Sequence, residues 1–108
     1  MLDASHNRWF REIKKGARFR TLADITAKGL IHWNAPLTTG FRCVIPKGTI
    51  LVAQRDSSPF SLGFGCVPEN RADFERKFVP ETDRAASGYA GYSFVFTRFA
   101  IGRKLSVL

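Results

Sequence analysis

Hydrophobic and polar residues alternate with a period of two along much of the chain, as in β-strands with one buried face. Between positions 17 and 27 the odd positions include Phe19 and Ile25, whereas the even positions include Arg18 and Arg20. This alternation predicts a strand over 17–27. We expect its apolar side chains to point inward and its arginines to face water or a ligand.

Two further β-prone runs flank the tripeptide Pro46-Lys47-Gly48. Proline presets the backbone at the first turn position, and glycine accepts a positive φ two residues later. The segment 41–53 therefore predicts a β-hairpin with a type I turn and a bulge.

Three later segments are also typical of strands. Large apolar residues alternate with serine or glycine over 60–67, so one face of this strand is almost bare. Such a face favours close approach by a helix or by a ligand. Residues 92–101 are apolar on both faces at their middle, which predicts a central strand, and residues 105–108 predict a final edge strand.

Two segments have helical spacing instead. Over 5–15 the apolar residues Trp9, Phe10 and Ile13 form a narrow stripe, with basic residues on the other side. Over 70–78 the rings of Phe74 and Phe78 share one face. We expect an N-terminal helix, a second helix capped by Asn70 and stopped by Pro80, and a loop over 81–91.

These elements predict an α+β fold dominated by antiparallel β-structure, with about six strands and two helices. A small barrel or strongly curved sheet is the architecture we expect. An open sheet packed against the N-terminal helix is the alternative. No repeat or linker divides the sequence, so residues 1–108 are expected to form a single domain.

The chain is strongly basic, with 17 Lys and Arg against 9 Asp and Glu and a formal net charge of +8. The excess is spread over most of the sequence, which favours a folded surface of positive potential over a basic tail. Such a surface attracts polyanions such as nucleic acid. It also keeps a protein soluble, so charge alone does not decide the function.

The sequence contains no apolar run long enough for a membrane span, and its start lacks the pattern of a secretory signal. With only two cysteines it does not resemble a disulfide-rich scaffold. We therefore expect a cytoplasmic protein with reduced thiols and no membrane partner, and a secreted form with one disulfide is the alternative.

Residues suited to metal binding are scattered: His6, His32, Cys43 and Cys66 lie far apart, whereas structural zinc sites use close pairs of ligands. We expect no metal, no cofactor and two cysteines on inward strand faces, close enough to bridge if their strands are neighbours. No Gly-x-Ser-x-Gly motif occurs. His32 is the candidate for general acid–base catalysis, and a locally packed histidine is the alternative.

The combination of cations and aromatic rings is the main functional signal. Single-strand binders use a positive groove for phosphates and exposed rings for bases. Rings near turns are supplied by Trp33, Tyr89 and Tyr92. The candidate binding residues are Arg8, Arg11, Lys14, Arg18, Arg20, Trp33, Arg42, Tyr92 and Arg98.

Three hypotheses follow from these residues. The first is a binding module for nucleic acid or another polyanion, which requires the cations to share one face. The second is a non-catalytic interaction or structural protein, such as a homodimer, that pairs through an exposed edge or through the glycine-rich strand 60–67. The third is a small nuclease-like enzyme, which requires a cleft that brings His32 within hydrogen-bond reach of another functional group.

Overall fold

A computed structural model describes residues 12–108, which form a seven-stranded sheet and two short helices. The strands are β1 (Arg18–Thr21), β2 (Ile25–Trp33), β3 (Thr38–Ile45), β4 (Ile50–Ala53), β5 (Gly63–Pro68), β6 (Tyr89–Thr97) and β7 (Leu105–Val107). The helices are α1 (Arg71–Phe78) and α2 (Glu81–Arg84), and a 3₁₀ turn follows β6 at Arg98–Ala100.

The strand order is β3-β2-β6-β5-β4-β1-β7, and all six neighbouring pairs are antiparallel. The mostly antiparallel fold is therefore confirmed. In the described part of the chain β3 and β7 each have one neighbour, so the pairing does not close into the barrel that the sequence favoured. The expected central strand is β6, and the expected final edge strand is β7.

Segments 18–33 and 38–53 form one bent ribbon, in which residues 18–20 pair with 50–52 on one side of the bend and residues 25–32 pair with 38–45 on the other. Arg18 pairs with Val52 in one half and Ile25 pairs with Ile45 in the other, so the register continues through the bend. At the bend the backbone N–H of Thr21 donates to the Thr49 carbonyl oxygen over 2.9 Å. The ribbon keeps its inward and outward faces through this corner.

The bend forces the sheet to curve. The three residues between β1 and β2 let the Cα atoms at their ends lie at most about 14 Å apart. In a flat sheet the intervening β6, β5 and β4 would separate β1 from β2 by about 19 Å. A flat sheet therefore cannot connect these strands.

Two local predictions about this ribbon were wrong. The predicted strand 17–27 is interrupted at 22–24, where the ribbon bends. The predicted hairpin 41–53 does contain a turn, with Gly48 at a φ of +86°. Its flanking strands β3 and β4 do not pair with each other, however, because β3 pairs with β2 and β4 pairs with β1 and β5.

The predicted helix over 5–15 lies largely outside the described residues. Of its last residues, Ile13 forms an antiparallel bridge with Ser57, so the helix does not extend to that position. The second helix is confirmed as α1, although the Asn70 side chain makes no capping hydrogen bond. The predicted loop 81–91 instead contains α2 and the first residues of β6.

The core lies on the inward face of the sheet, where α1 covers it. The fully buried ring of Phe94 lies at its centre and contacts the rings of Phe41, Tyr92 and Phe78 of α1, with centroid distances of 5.9, 6.0 and 6.1 Å. The Phe41 ring also occupies the position of a side chain at Gly29, where an added Cβ atom would lie 2.2 Å from Phe41 Cζ. Aromatic packing therefore fixes the β2–β3–β6 side of the sheet.

The two cysteines do not lie on neighbouring strands. Cys43 is on β3 and Cys66 on β5, and β2 and β6 lie between them. Both thiols are free, so the condition for a bridge between them is not met.

Alkaline pH is expected to destabilise this core. Burial raises the pKa of the Cys43 thiol to about 11 and that of Cys66 to about 12, and burial is also the main cause that raises the pKa of the Tyr89 and Tyr92 phenols. In the unfolded chain the pKa values of these thiols and phenols are about 8.5 and 10. The unfolded state then binds fewer protons than the native state, so the free energy of unfolding falls as pH rises above about 9.

Urea titrations at neutral pH and at about pH 10 measure this loss directly. A free energy of unfolding that stayed constant or increased over that interval would contradict the burial of these four groups.

Candidate nucleic-acid interface

The outward face of the sheet is cationic and carries no helix of the described chain. None of the seven strands contains Asp or Glu, and their only charged residues are Arg18, Arg20, Lys28 and Arg42. All four side chains are exposed, because they occupy outward positions in the alternation that buries Phe19 and its neighbours. Two of them lie on β1 and the other two on β2 and β3.

Lys28 and Arg42 face each other directly across the β2–β3 pair. The Lys28 side chain lies over Gly40, where an added Cβ atom would be 2.7 Å from Lys28 Cε. Among residues 12–108 neither cation forms an ion pair. Like charges in directly opposed positions disfavour pairing unless an anion lies between them. The pair therefore suits a phosphate.

The β1 cations differ from each other in their partners. Arg18 forms an ion pair with Glu69, with 2.6 Å between Arg18 Nε and Glu69 Oε2. Arg20 lies between Ile50 and Ser106 on the adjacent strands and forms no ion pair within the described chain. Arg20 is therefore the β1 cation available to an anion, and Arg18 is partly neutralised.

A groove crosses the outward face between these two groups of cations, where β5 carries glycine. Its volume is about 360 Å³, and the side chains around it include His32, Gln54, Arg55, Ser93 and Val95. Gly63 and Gly65 of β5 form part of its floor. An added Cβ atom at Gly65 would have only Gln54 Oε1 nearby, at 3.6 Å, so the space above this strand is open.

His32 lies at one side of this groove. Its Nε2 atom is 2.8 Å from Ser93 Oγ, and Ser93 is only 3% exposed. The groove thus meets the geometric condition set for a catalytic histidine. Among residues 12–108 no carboxylate lines it, however, so no acidic group of this part of the chain orients the imidazole as in a Ser-His-Asp arrangement.

Two predicted binding residues lie in the interior. The Tyr92 ring is fully buried, and its hydroxyl donates to the Arg71 carbonyl oxygen over 2.8 Å. Arg98 is 3% exposed and donates to backbone carbonyl oxygens, including that of Ser57 over 3.2 Å. Neither side chain presents its functional group to a ligand on the outward face. The prediction that Tyr92 and Arg98 are binding residues is therefore wrong, because both side chains are buried.

The other predicted binding residues, Trp33, Lys14, Arg8 and Arg11, do not contribute a free side chain to the outward face within the described residues. The half-buried Trp33 donates from Nε1 to Thr39 Oγ1 over 3.1 Å and packs edge-on against Tyr89. The exposed Lys14 forms an ion pair with Glu12 over 3.0 Å. Arg8 and Arg11 lie outside the described residues. The structure thus places Arg18, Arg20, Arg42 and His32 on the outward face and separates them from Tyr92 and Arg98.

Two exposed apolar side chains in the loop before β5 were not predicted from the sequence. The predicted strand over 60–67 included Phe60 and Leu62, but β5 begins only at Gly63. The two side chains are 94% and 72% exposed. The signal was the preceding Ser58-Pro59 pair, which extends the turn past the point where the alternation of large and small residues begins.

Comparison with protein-family models, curated proteins and solved structures gives no match for this chain. Within residues 12–108 no group of three or more His, Cys, Asp or Glu side chains is placed to hold a metal ion. No helix in this part of the chain is long and apolar enough to span a membrane.

Proposed function

We propose that this protein binds nucleic acid through the outward face of its sheet. The observation that carries the proposal is that the seven strands bear four exposed cations and no carboxylate. Lys28 and Arg42 hold one phosphate, Arg20 holds another, and Arg55 contributes at the groove between them. A phosphate backbone that crosses the strands would meet these cations in turn.

The spacing of the cations supports a polymeric ligand over a small anion. The β2 and β1 strands that carry Lys28 and Arg20 lie four strand positions apart, which is roughly 19 Å measured along the sheet. Lys28 faces Arg42 on the β2–β3 side of the groove and Arg20 lies on β1 beyond its other side, so a phosphate held by Lys28 and Arg42 leaves Arg20 available to another. A chain of phosphates can occupy both, and each contact adds to the affinity through release of counterions.

Binding measured over a salt series tests the proposal. Fluorescence anisotropy with a labelled oligothymidylate is expected to show affinity that falls with salt, with a slope of log K against log salt of about −1.4 to −2.1 for two or three phosphate contacts. A slope near zero, or no binding at low salt and micromolar protein, would contradict it.

The His32–Ser93 pair favours a nuclease as the second candidate function, because Nε2 and Oγ are in hydrogen-bond contact at a groove. Gel analysis of the same oligonucleotide after incubation separates the two candidates. An intact strand supports binding alone. Cleavage that disappears in the His32→Ala variant would favour the enzyme.

A further inference from the structure

The ring of Phe60 is held in an exposed position by a buried charge. The loop before β5 carries Phe60, and the guanidinium of Arg98 donates to the carbonyl oxygens of Ser57, Ser58 and Ser61 on both sides of it. The Phe60 N–H also donates to Ser58 Oγ over 3.1 Å. The loop conformation that exposes the ring is therefore fixed by specific hydrogen bonds. Leu62 in the same loop is 72% exposed, so this loop leaves two large apolar side chains in water and forgoes the free energy that their burial would supply.

The loop that carries the exposed ring also contributes to the open groove. Ser61 follows Phe60 in sequence and lines the groove, and Val95 on β6 provides an apolar wall. The groove volume of about 360 Å³ falls within the range of roughly 300–1,000 Å³ typical of small-molecule sites. The glycine floor lets a flat group approach the backbone of β5 closely.

Hydrogen-bonding groups lie along the same groove. In the described part of the chain the Gln54 side-chain amide has no hydrogen-bond partner, so its oxygen and its NH2 group are both available. His32 lies on another side and already contacts Ser93. The groove thus combines an apolar wall, a bare floor and free polar groups, which together match the flat face and polar edge of a nucleobase.

We infer that the groove above Gly63 and Gly65 binds an unpaired nucleobase and that the Phe60 ring stacks on a neighbouring base. The protein therefore selects single-stranded nucleic acid, because the base faces and edges that it recognises are covered in a duplex. This inference rests on the proposed function, in which the outward cations hold the phosphates.

The test compares four probes at one salt concentration: an oligothymidylate of about 12 nucleotides, within the site sizes of small β-folds, a duplex of equal length, heparin, and vesicles containing phosphatidylserine. Wild-type protein is expected to bind the oligothymidylate more tightly than the duplex. Phe60→Ala is expected to lower oligothymidylate affinity about tenfold, the effect of losing one stacked base. It leaves heparin affinity within about twofold, because heparin has no bases.

Three further variants make the result specific. Phe60→Trp is expected to retain oligothymidylate affinity, because it keeps a stacking ring. Gly65→Val is expected to lower it, because the added side chain fills the groove. Leu62→Ala removes an exposed apolar side chain from the same loop without removing a ring, and is the matched control.

The outcomes separate this inference from the proposed function. Equal losses on oligothymidylate and heparin for Phe60→Ala, or no loss on either, would overturn the base site while leaving phosphate binding intact. A loss confined to the vesicles in both Phe60→Ala and Leu62→Ala would overturn it in favour of a membrane surface. Wild-type protein that bound neither heparin nor oligothymidylate would refute the proposed function itself.

Discussion

Replacement of both Lys28 and Arg42 by alanine is expected to weaken oligothymidylate binding about fivefold at 0.1 M salt, because the two side chains together hold one phosphate. Each phosphate contact contributes about 0.7 to the salt slope for a single strand, which corresponds to about fivefold in affinity at that salt concentration. The slope should therefore also become shallower by about 0.7. Both side chains are exposed and face each other with like charge, so their removal leaves the fold intact.

The matched control is the double replacement of Arg76 and Lys77 by alanine. It removes the same formal charge from α1, where both cations form ion pairs with Asp73 over 3.2 and 3.3 Å. We expect its affinity and salt slope to remain close to those of the wild type. Equal weakening by the two double variants would mean that net charge, rather than the outward face of the sheet, determines binding.

Phe94→Ala is expected to lower the free energy of unfolding by about 3–5 kcal/mol, the usual cost of truncating a buried phenylalanine. The Phe94 ring is fully buried and contacts the rings of Phe41, Phe78 and Tyr92, so its loss leaves a cavity where the sheet and α1 meet. A domain of this size is typically stable by only about 5–15 kcal/mol. Urea denaturation followed by circular dichroism measures the change.

The same substitution at an exposed phenylalanine provides the control. Phe60→Ala removes the same atoms from a side chain that is almost fully exposed, so its free energy of unfolding should change by less than about 0.5 kcal/mol. Comparable destabilisation by the two variants would contradict the assignment of Phe94 to the core and of Phe60 to the surface.

The face of each strand residue could be predicted from the sequence because alternation is a local property. Phe19 and Ile25 point inward and Arg18 and Arg20 point outward, as the period of two required. The register of the ribbon carries this alternation through the bend at 22–24. The helix over 70–78 was also predictable, since its apolar spacing and its stop at Pro80 lie within a few residues of each other.

Strand pairing could not be predicted in the same way. The Pro46-Lys47-Gly48 turn is real, but a turn signal does not specify which strands pair. Here both flanking strands find their partners in the segment 18–33, because the register of the long ribbon continues through the corner. At the bend, Thr21 Oγ1 donates a hydrogen bond to the Pro46 carbonyl oxygen over 2.8 Å, and this contact helps to fix the bend. Nothing in the composition of the turn indicates this distant contact.

The candidate site was predictable only in part, for a related reason. Arg18 and Arg20 were placed correctly on outward positions, because alternation determines the face. Arg98 was not, because the 3₁₀ turn after β6 ends the alternation and directs its guanidinium toward the carbonyl groups of the 57–61 loop. The contact between His32 and Ser93 joins residues that are far apart in sequence, and it depends on the pairing of β2 with β6.

The central claim is that the outward face of the sheet is the binding surface, and nuclear magnetic resonance tests it most directly. Titration of the labelled protein with oligothymidylate should shift the backbone amide signals of Lys28, Arg42 and Gly65 and leave those of Arg76 and Lys77 on α1 unchanged. Shifts concentrated on α1, with the β2, β3 and β5 signals unmoved at saturation, would contradict the claim.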